Sequence, residues 1–209
     1  MIIYEDIEQR TDEWYRIRDL KFTASHASTI LAEGAGLKTL IKEILADHYS
    51  SKTYEEFSDK YTNNNIERGN EFEDKARTIY EMEVCLPVKQ VGFVEMSDHV
   101  GCSPDGMVGD EGLVEIKNHN DKYYVNLLLT NKIEKKYYNQ MQMQLYVTDR
   151  KWCDYFAFNP NFPEKPFVLI RVYPDEITFG KLRNALERAT NDLLEQKKII
   201  DDVINERRQ

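Results

Sequence analysis

The chain has 209 residues with 41% hydrophobic content, enough for one sizeable core, and a single domain over residues 1–209 is expected. No run approaches the ~20 apolar residues of a membrane-spanning helix, and the opening MIIYEDIEQRT lacks the basic and apolar regions of a signal peptide. A cytoplasmic protein without a membrane partner is therefore expected. The formal charge of −9 excludes a protein that coats nucleic acid by bulk positive charge, because sequence-independent DNA affinity comes from neutralised phosphates.

That charge still suits an enzyme whose carboxylates await divalent cations, since bound metal reverses the local field. DNA would then be touched by local basic groups: Arg16, Arg18 and Lys21; Arg68, Lys75 and Arg77; Lys132, Lys135 and Lys136. Cys85, Cys102 and Cys153 stand singly, as reduced thiols do, and fall short of the four thiolates of an iron–sulfur cluster.

In chain order, TDEWYRIRDL from Thr11 predicts a short helix, and Thr23 before ASHASTILA predicts a capped one. Gly34-Ala35-Gly36 precedes no phosphate-loop lysine–serine pair and predicts a turn. From Leu37 to Tyr49, Leu40, Ile41, Ile44, Leu45 and Tyr49 share one helical stripe. A further helix, from about Asn65 to Glu83, carries Phe72, Ala76, Ile79 and Tyr80 on its apolar side.

Strand signals follow in VKQVGFVEM from Val88, then HVGCSPDGMV and GLVEIKN, with turn chemistry at Pro104-Asp105-Gly106 and Asp110-Glu111-Gly112. Helical signals return over DKYYVNLLL and KKYYNQMQMQLYVT. In the latter, Met141 and Leu145 would face the core, and Gln140, Gln142 and Gln144 read as polar positions of an amphipathic helix. Two strands, KWCDYFAFN and FVLIRVY, precede Pro174, and a long helix from about Asp175 closes the chain. Helices, then strands, then helices, without repeat or linker, predict an α/β (α+β) domain with a mixed central sheet flanked by helices.

Chemistry concentrates in SPDGMVGDEGLVEIK, from Ser103 to Lys117. Alternate residues of a strand share a face, so Glu115 and Lys117 point one way while Val114 and Ile116 point the other. Asp105, in the turn ten residues before Glu115, would join them. Carboxylates brought together repel unless a cation sits between them, and hard divalent ions prefer such oxygen ligands. A lysine beside them could orient or help deprotonate an attacking water and stabilise charge growing on phosphorus. A Pro-Asp-Gly turn and a Glu-x-Lys pair are each common alone; together they match the PD-(D/E)xK nuclease signature. His26, His48, His99 and His119 show no zinc-site spacing and read as non-ligands.

Five segments, in the same order, resemble the phage lambda exonuclease and YqaJ-type viral recombinase family over roughly Trp14 to Tyr173: WYRIRDLKFTAS, RGNEFEDKAR, GCSPDG, GLVEIK and NQMQMQLYVTDRKWCDYFAFNP. The resemblance implies a restriction-endonuclease-like core. It implies phosphate binding by Arg18, Ser25 and Ser103, and a site glutamine at Gln140. It implies Mg²⁺ or Mn²⁺ held by Asp105, Glu115, the Ile116 carbonyl and Glu73, with Lys117 orienting the nucleophile. Plainer roles exist for some: Glu73 pairing with Arg77, Ser25 capping a helix, Arg18 neutralising Asp19 or Glu13. After the motif lysine, Asn118, His119 and Asn120 stand where many relatives carry a small residue and a proline, and Ser50 to Asn64 is unplaced.

The implied activity is metal-dependent 5′-to-3′ digestion of double-stranded DNA ends, leaving 3′ single strands for recombination. The implied assembly is a homotrimeric ring with a single-strand annealing partner, in a bacterial or phage-infected cell. The alternatives are another nuclease of the superfamily, endonuclease or Cas4-like, and a non-catalytic DNA-end-binding module.

Overall fold

The structure, a computed structural model, describes residues 1–50 and 64–206, with the side chains of 64–71 outside that description. Most of the unplaced Ser50 to Asn64 stretch and the Arg68 side chain therefore lie outside the described residues.

The first helix, α1 (Asp12–Ile17), starts where Thr11 Oγ1 accepts a bond from the Trp14 amide at 3.3 Å. On either side lie two strands too short to leave a periodic signal, β1 (Ile2–Tyr4) and β2 (Phe22–Thr23). Thr23 precedes a 3-10 turn, Ala24–His26, without a side-chain capping bond, and α2 is Ala27–Ala32. Gly34 is the cap of α3 (Ala35–Tyr49), so Ala35 and Gly36 belong to the helix rather than to the expected turn. The helix α4 (Asn64–Val84) leads into β3 (Val88–Lys89), β4 (Phe93–Ser97), β5 (Val100–Cys102), β6 (Gly106–Val108) and β7 (Gly112–Lys117). After these come α5 (Asp121–Thr130), α6 (Lys135–Thr148), β8 (Trp152–Phe158), β9 (Phe167–Val172) and α7 (Glu176–Glu206). Among the described residues no helix is long and apolar enough to cross a membrane.

The mixed sheet is present in two parts, ordered β1-β4-β5-β2 and β3-β6-β7-β8-β9, with β2/β5 and β7/β8 as the parallel pairs. Strand alternation sorts the second sheet's faces. Val114, Ile116, Phe156 and Phe158 pack with Ala76 and Tyr80 of α4, whereas Leu113, Cys153, Tyr155 and Ala157 join a core with Met141, Met143 and Leu145 of α6. The Glu115 face is thus the α6 face.

α6 is buried on more than its apolar stripe. Gln142 is fully buried, with Nε2 donating to the Tyr173 carbonyl at 2.8 Å and Oε1 accepting from the Asp175 amide at 2.9 Å. It therefore staples the exit of β9 to the start of α7, a correction to its reading as an ordinary polar position; buried amides persist because every polar atom finds a partner. Below the sheet, fully buried Asp154 accepts from Tyr80 at 2.9 Å and from Arg171 at 2.8 and 2.9 Å. Arg171 itself stacks 3.7 Å over the Trp152 ring. Cys85 is exposed, Cys102 and Cys153 are buried, and all three are free thiols.

Candidate active site

Asp105 sits in the bend between β5 and β6. Gly106, the first residue of β6, lets β3 pack closely beside it, because a Cβ there would stand 2.1 Å from Val88 Cγ1. The β6–β7 ladder ends at the pair Gly106↔Val114, and past that point Asp105 takes over: its Oδ2 accepts from the Ile116 amide at 2.7 Å. The N–H and C=O of one strand residue lie on the same edge, so the Ile116 carbonyl also projects toward Asp105.

Glu115 is fully buried on the other axis of the strand, and both its oxygens accept bonds. Oε1 takes the Gln140 amide at 2.6 Å and the Lys117 ammonium; Oε2 takes the Gln144 amide at 2.6 Å. Gln140 and Gln144 lie one helical turn apart on α6 and so face the same carboxylate. Gln144, itself fully buried, has its Oε1 near the Cys153 thiol, 3.8 Å away. Burial pushes the pKa of that thiol well up, so it stays a donor. Gln144 is a residue that sequence pattern assigned to an ordinary polar position; its spacing of four from Gln140 was the available signal. Gln144→Leu should cost about 1–3 kcal/mol, because it leaves a buried carboxylate oxygen without its donor, and thermal melting against wild type checks this.

Burial first, and then the charge of Glu115, push the Asp105 pKa well above the usual carboxylate range; Lys117 and the Ile116 amide oppose the rise, and Glu73 adds to it. For Lys117, burial alone would lower the pKa, but Glu115 and Asp105 outweigh it and hold the ammonium charged. Two carboxylates thus face one ammonium at the end of β7.

The other residues singled out from sequence divide into two groups. Ser103 Oγ donates to the Gly92 carbonyl at 2.8 Å and accepts from Trp14 Nε1 at 3.0 Å and Arg18 Nη1 at 3.2 Å. The Arg18 guanidinium lies 3.8 Å from the Trp14 ring centre, so Arg18 and Ser103 meet across a separation of 85 residues. Ser25 is exposed and bonds the Thr23 hydroxyl at 3.2 Å rather than joining them directly.

Glu73 is held on the α4 side by Arg77 at 2.9 Å and Arg10 at 3.8 Å, the first being the helical pair expected from spacing. It borders a cleft of about 430 Å³ whose wall includes Gln9. Gln9 donates to the Pro104 carbonyl at 3.3 Å, which ties that wall to the Asp105 bend. Among the described residues no three His, Cys, Asp or Glu side chains gather as a metal site.

Next to Lys117, burial lowers the His119 pKa to about 4 from 6.5, with Lys117 and Lys136 adding to the effect and Glu134 opposing it. The folded state therefore keeps a neutral imidazole where the unfolded chain would take up a proton. Stability is fully present above about pH 6.5 and is lost as pH falls toward 4. His119→Gln should flatten the pH dependence of the melting temperature in that window.

Comparison with known structures defines the class. The fold is that of the alkaline exonuclease LHK-Exo from Laribacter hongkongensis: TM-score 0.85 at 26% identity, covering 94% of this chain and 99% of that one. The same protein in complex with dAMP matches at 0.84 and 26% identity, with the same coverage of both chains. A phage-related exonuclease from Haemophilus somnus 129PT shares the fold at TM-score 0.62 and 14% identity, over 90% of this chain and 98% of that one. This is a nuclease fold of the phage exonuclease type. No curated protein matches the chain in sequence. The model of the YqaJ-like viral recombinase domain matches residues 13–151, and the chain belongs to that family.

Proposed function

We propose that this chain is a divalent-metal-dependent exodeoxyribonuclease that digests linear duplex DNA from its ends, 5′ to 3′, leaving 3′ single strands for recombination. The observation that carries the proposal is the meeting of Asp105, Glu115 and Lys117 at the end of β7, in a chain that shares 26% identity and its fold with an exonuclease.

The donors fit a hard cation. Asp105, Glu115 and the Ile116 carbonyl offer only oxygen, at a point where carboxylates outnumber cations, and Mg²⁺ or Mn²⁺ takes such ligands while keeping waters. Glu73 would join by releasing Arg77. Gln140, half-buried beside Oε1, is the donor best placed to yield, whereas Gln144 is locked in the core. A cation held there supplies polarisation of the phosphoryl oxygens and a lowered pKa for its water.

The chain's own groups do the rest. Lys117 holds the attacking water and offsets charge developing on the phosphorus oxygens. Arg18, braced on Trp14 and bonded to Ser103, presents a planar fork suited to a terminal phosphate, with Ser25 at the rim and Gln140 toward the scissile linkage. A homotrimeric ring would keep an acidic protein attached to its duplex, and a single-strand annealing protein would receive the exposed strand.

A digestion time course on linear duplex DNA, with and without a 5′-phosphate, in Mg²⁺ and in chelator, tests this. Expected are mononucleotides from the phosphorylated end in Mg²⁺ and no product in chelator. Cleavage of closed circles would instead indicate an endonuclease.

A further inference from the structure

The parallel strands β7 and β8 end side by side, and ligand clefts of such sheets open beyond the carboxyl ends. Tyr155 is the register partner of Glu115 and shares its face. Its hydroxyl meets His119 Nε2, and aromatic rings continue outward from there. Tyr137 lies 6.0 Å from Tyr155 and 5.6 Å from His119 between ring centres, and Tyr123 lies 6.3 Å from His119. Burial falls along the series, from buried Tyr155 through half-buried His119 and Tyr137 to Tyr123, which is 50% exposed. Lys117 and Lys136 flank it, their ammonium groups 5.4 and 4.6 Å from the Tyr137 ring centre; Lys136 also pairs with Glu134 at 3.3 Å.

Packing accounts for the inner rings but not for Tyr123. α5 is anchored by buried Tyr124 and Leu127 and capped by Asn120. Tyr124 packs on Phe162 and donates to the Lys165 carbonyl at 2.6 Å. Tyr123 meets His119, two residues beyond Lys117, and leaves half of its surface to solvent. Exposed rings beside lysines match unpaired nucleic acid, whose bases stack on aromatic faces while cations meet phosphates. The basic group Lys132, Lys135 and Lys136, exposed between α5 and the first turn of α6, supplies that charge.

We propose that Tyr123 and His119 form a stacking shelf for an unpaired nucleobase at the DNA end, beside Lys117. The DNA substrate rests on the nuclease reading above; the shelf itself rests on the ring geometry. The test uses the full chain in chelator, so that nothing is cut, and a duplex with a short frayed end carrying 2-aminopurine. Wild type and Tyr123→Phe should bind alike and quench the fluorophore, whereas Tyr123→Leu should lose the quenching and bind about tenfold more weakly. Equal quenching and affinity for Tyr123→Leu overturn the shelf, as does absence of quenching by wild type. A shift in sedimentation caused by Tyr123→Leu also overturns it, since the ring would then cover a second copy of the chain. Digestion of linear duplex by wild type in Mg²⁺ is measured separately: if it succeeds while Tyr123→Leu binds normally, the shelf fails and the nuclease reading stands. If it does not occur, the nuclease reading fails.

Discussion

Lys117→Ala is expected to slow the proposed hydrolysis of linear duplex DNA by at least about 10²-fold, the usual scale for a positioned proton-transfer or charge-stabilising group. DNA-end binding in chelator should change little, because the Arg18–Ser103 bond does not involve Lys117, whose ammonium pairs with Glu115. The ammonium is held charged by Glu115 and Asp105, so its loss removes the cation paired with Glu115 while both glutamine amides remain. Lys117→Arg should not restore the rate, since a planar fork does not occupy the position of a compact ammonium. Single-turnover rates and end-binding affinities, measured on variants shown by melting to be folded, decide the matter. An unchanged rate in Lys117→Ala removes Lys117 from the chemistry.

The largest stability effect is expected from Asp154→Ala. Asp154 lies wholly inside the α4 face of the sheet, opposite Glu115, and its two oxygens serve Tyr80 and Arg171. Removing one partner of a buried charged set costs roughly 3–5 kcal/mol. Arg171 is 38% exposed and can turn to water, which sets the low end of that range; the Tyr80 hydroxyl cannot. A loss of about 3 kcal/mol in a chain of this length lowers the melting temperature by roughly 6–12 °C. Below that temperature the rate of DNA cleavage should match wild type, because the network is on the far side of the sheet from Glu115 and Lys117. A melting shift under about 2 °C would show that Tyr80 and Arg171 find other partners.

These two expectations divide as the sequence and the folded chain divide. Strand period is a local property, so alternation along GLVEIK was enough to place Glu115 and Lys117 on one face and Val114 and Ile116 on the other. Helix stripes were likewise legible in α3 and α4, because 3.6-residue periodicity needs no partner to be visible. β1 and β2 were not legible: strands of three and two residues exist only through their pairing with β4 and β5.

By itself, then, the sequence determined the order of most elements, the face shared by the Glu-x-Lys pair, and the closeness of Glu73 to Arg77, all set by contacts within a few residues. Only the tertiary structure decided that Asp105 would tie off β7 at Ile116, that Gln144 rather than water would hold the second oxygen of Glu115, and that Arg18 would reach Ser103. Those choices depend on which helix covers which face of the sheet, and that is a property of the packed chain, to which residues far apart contribute together.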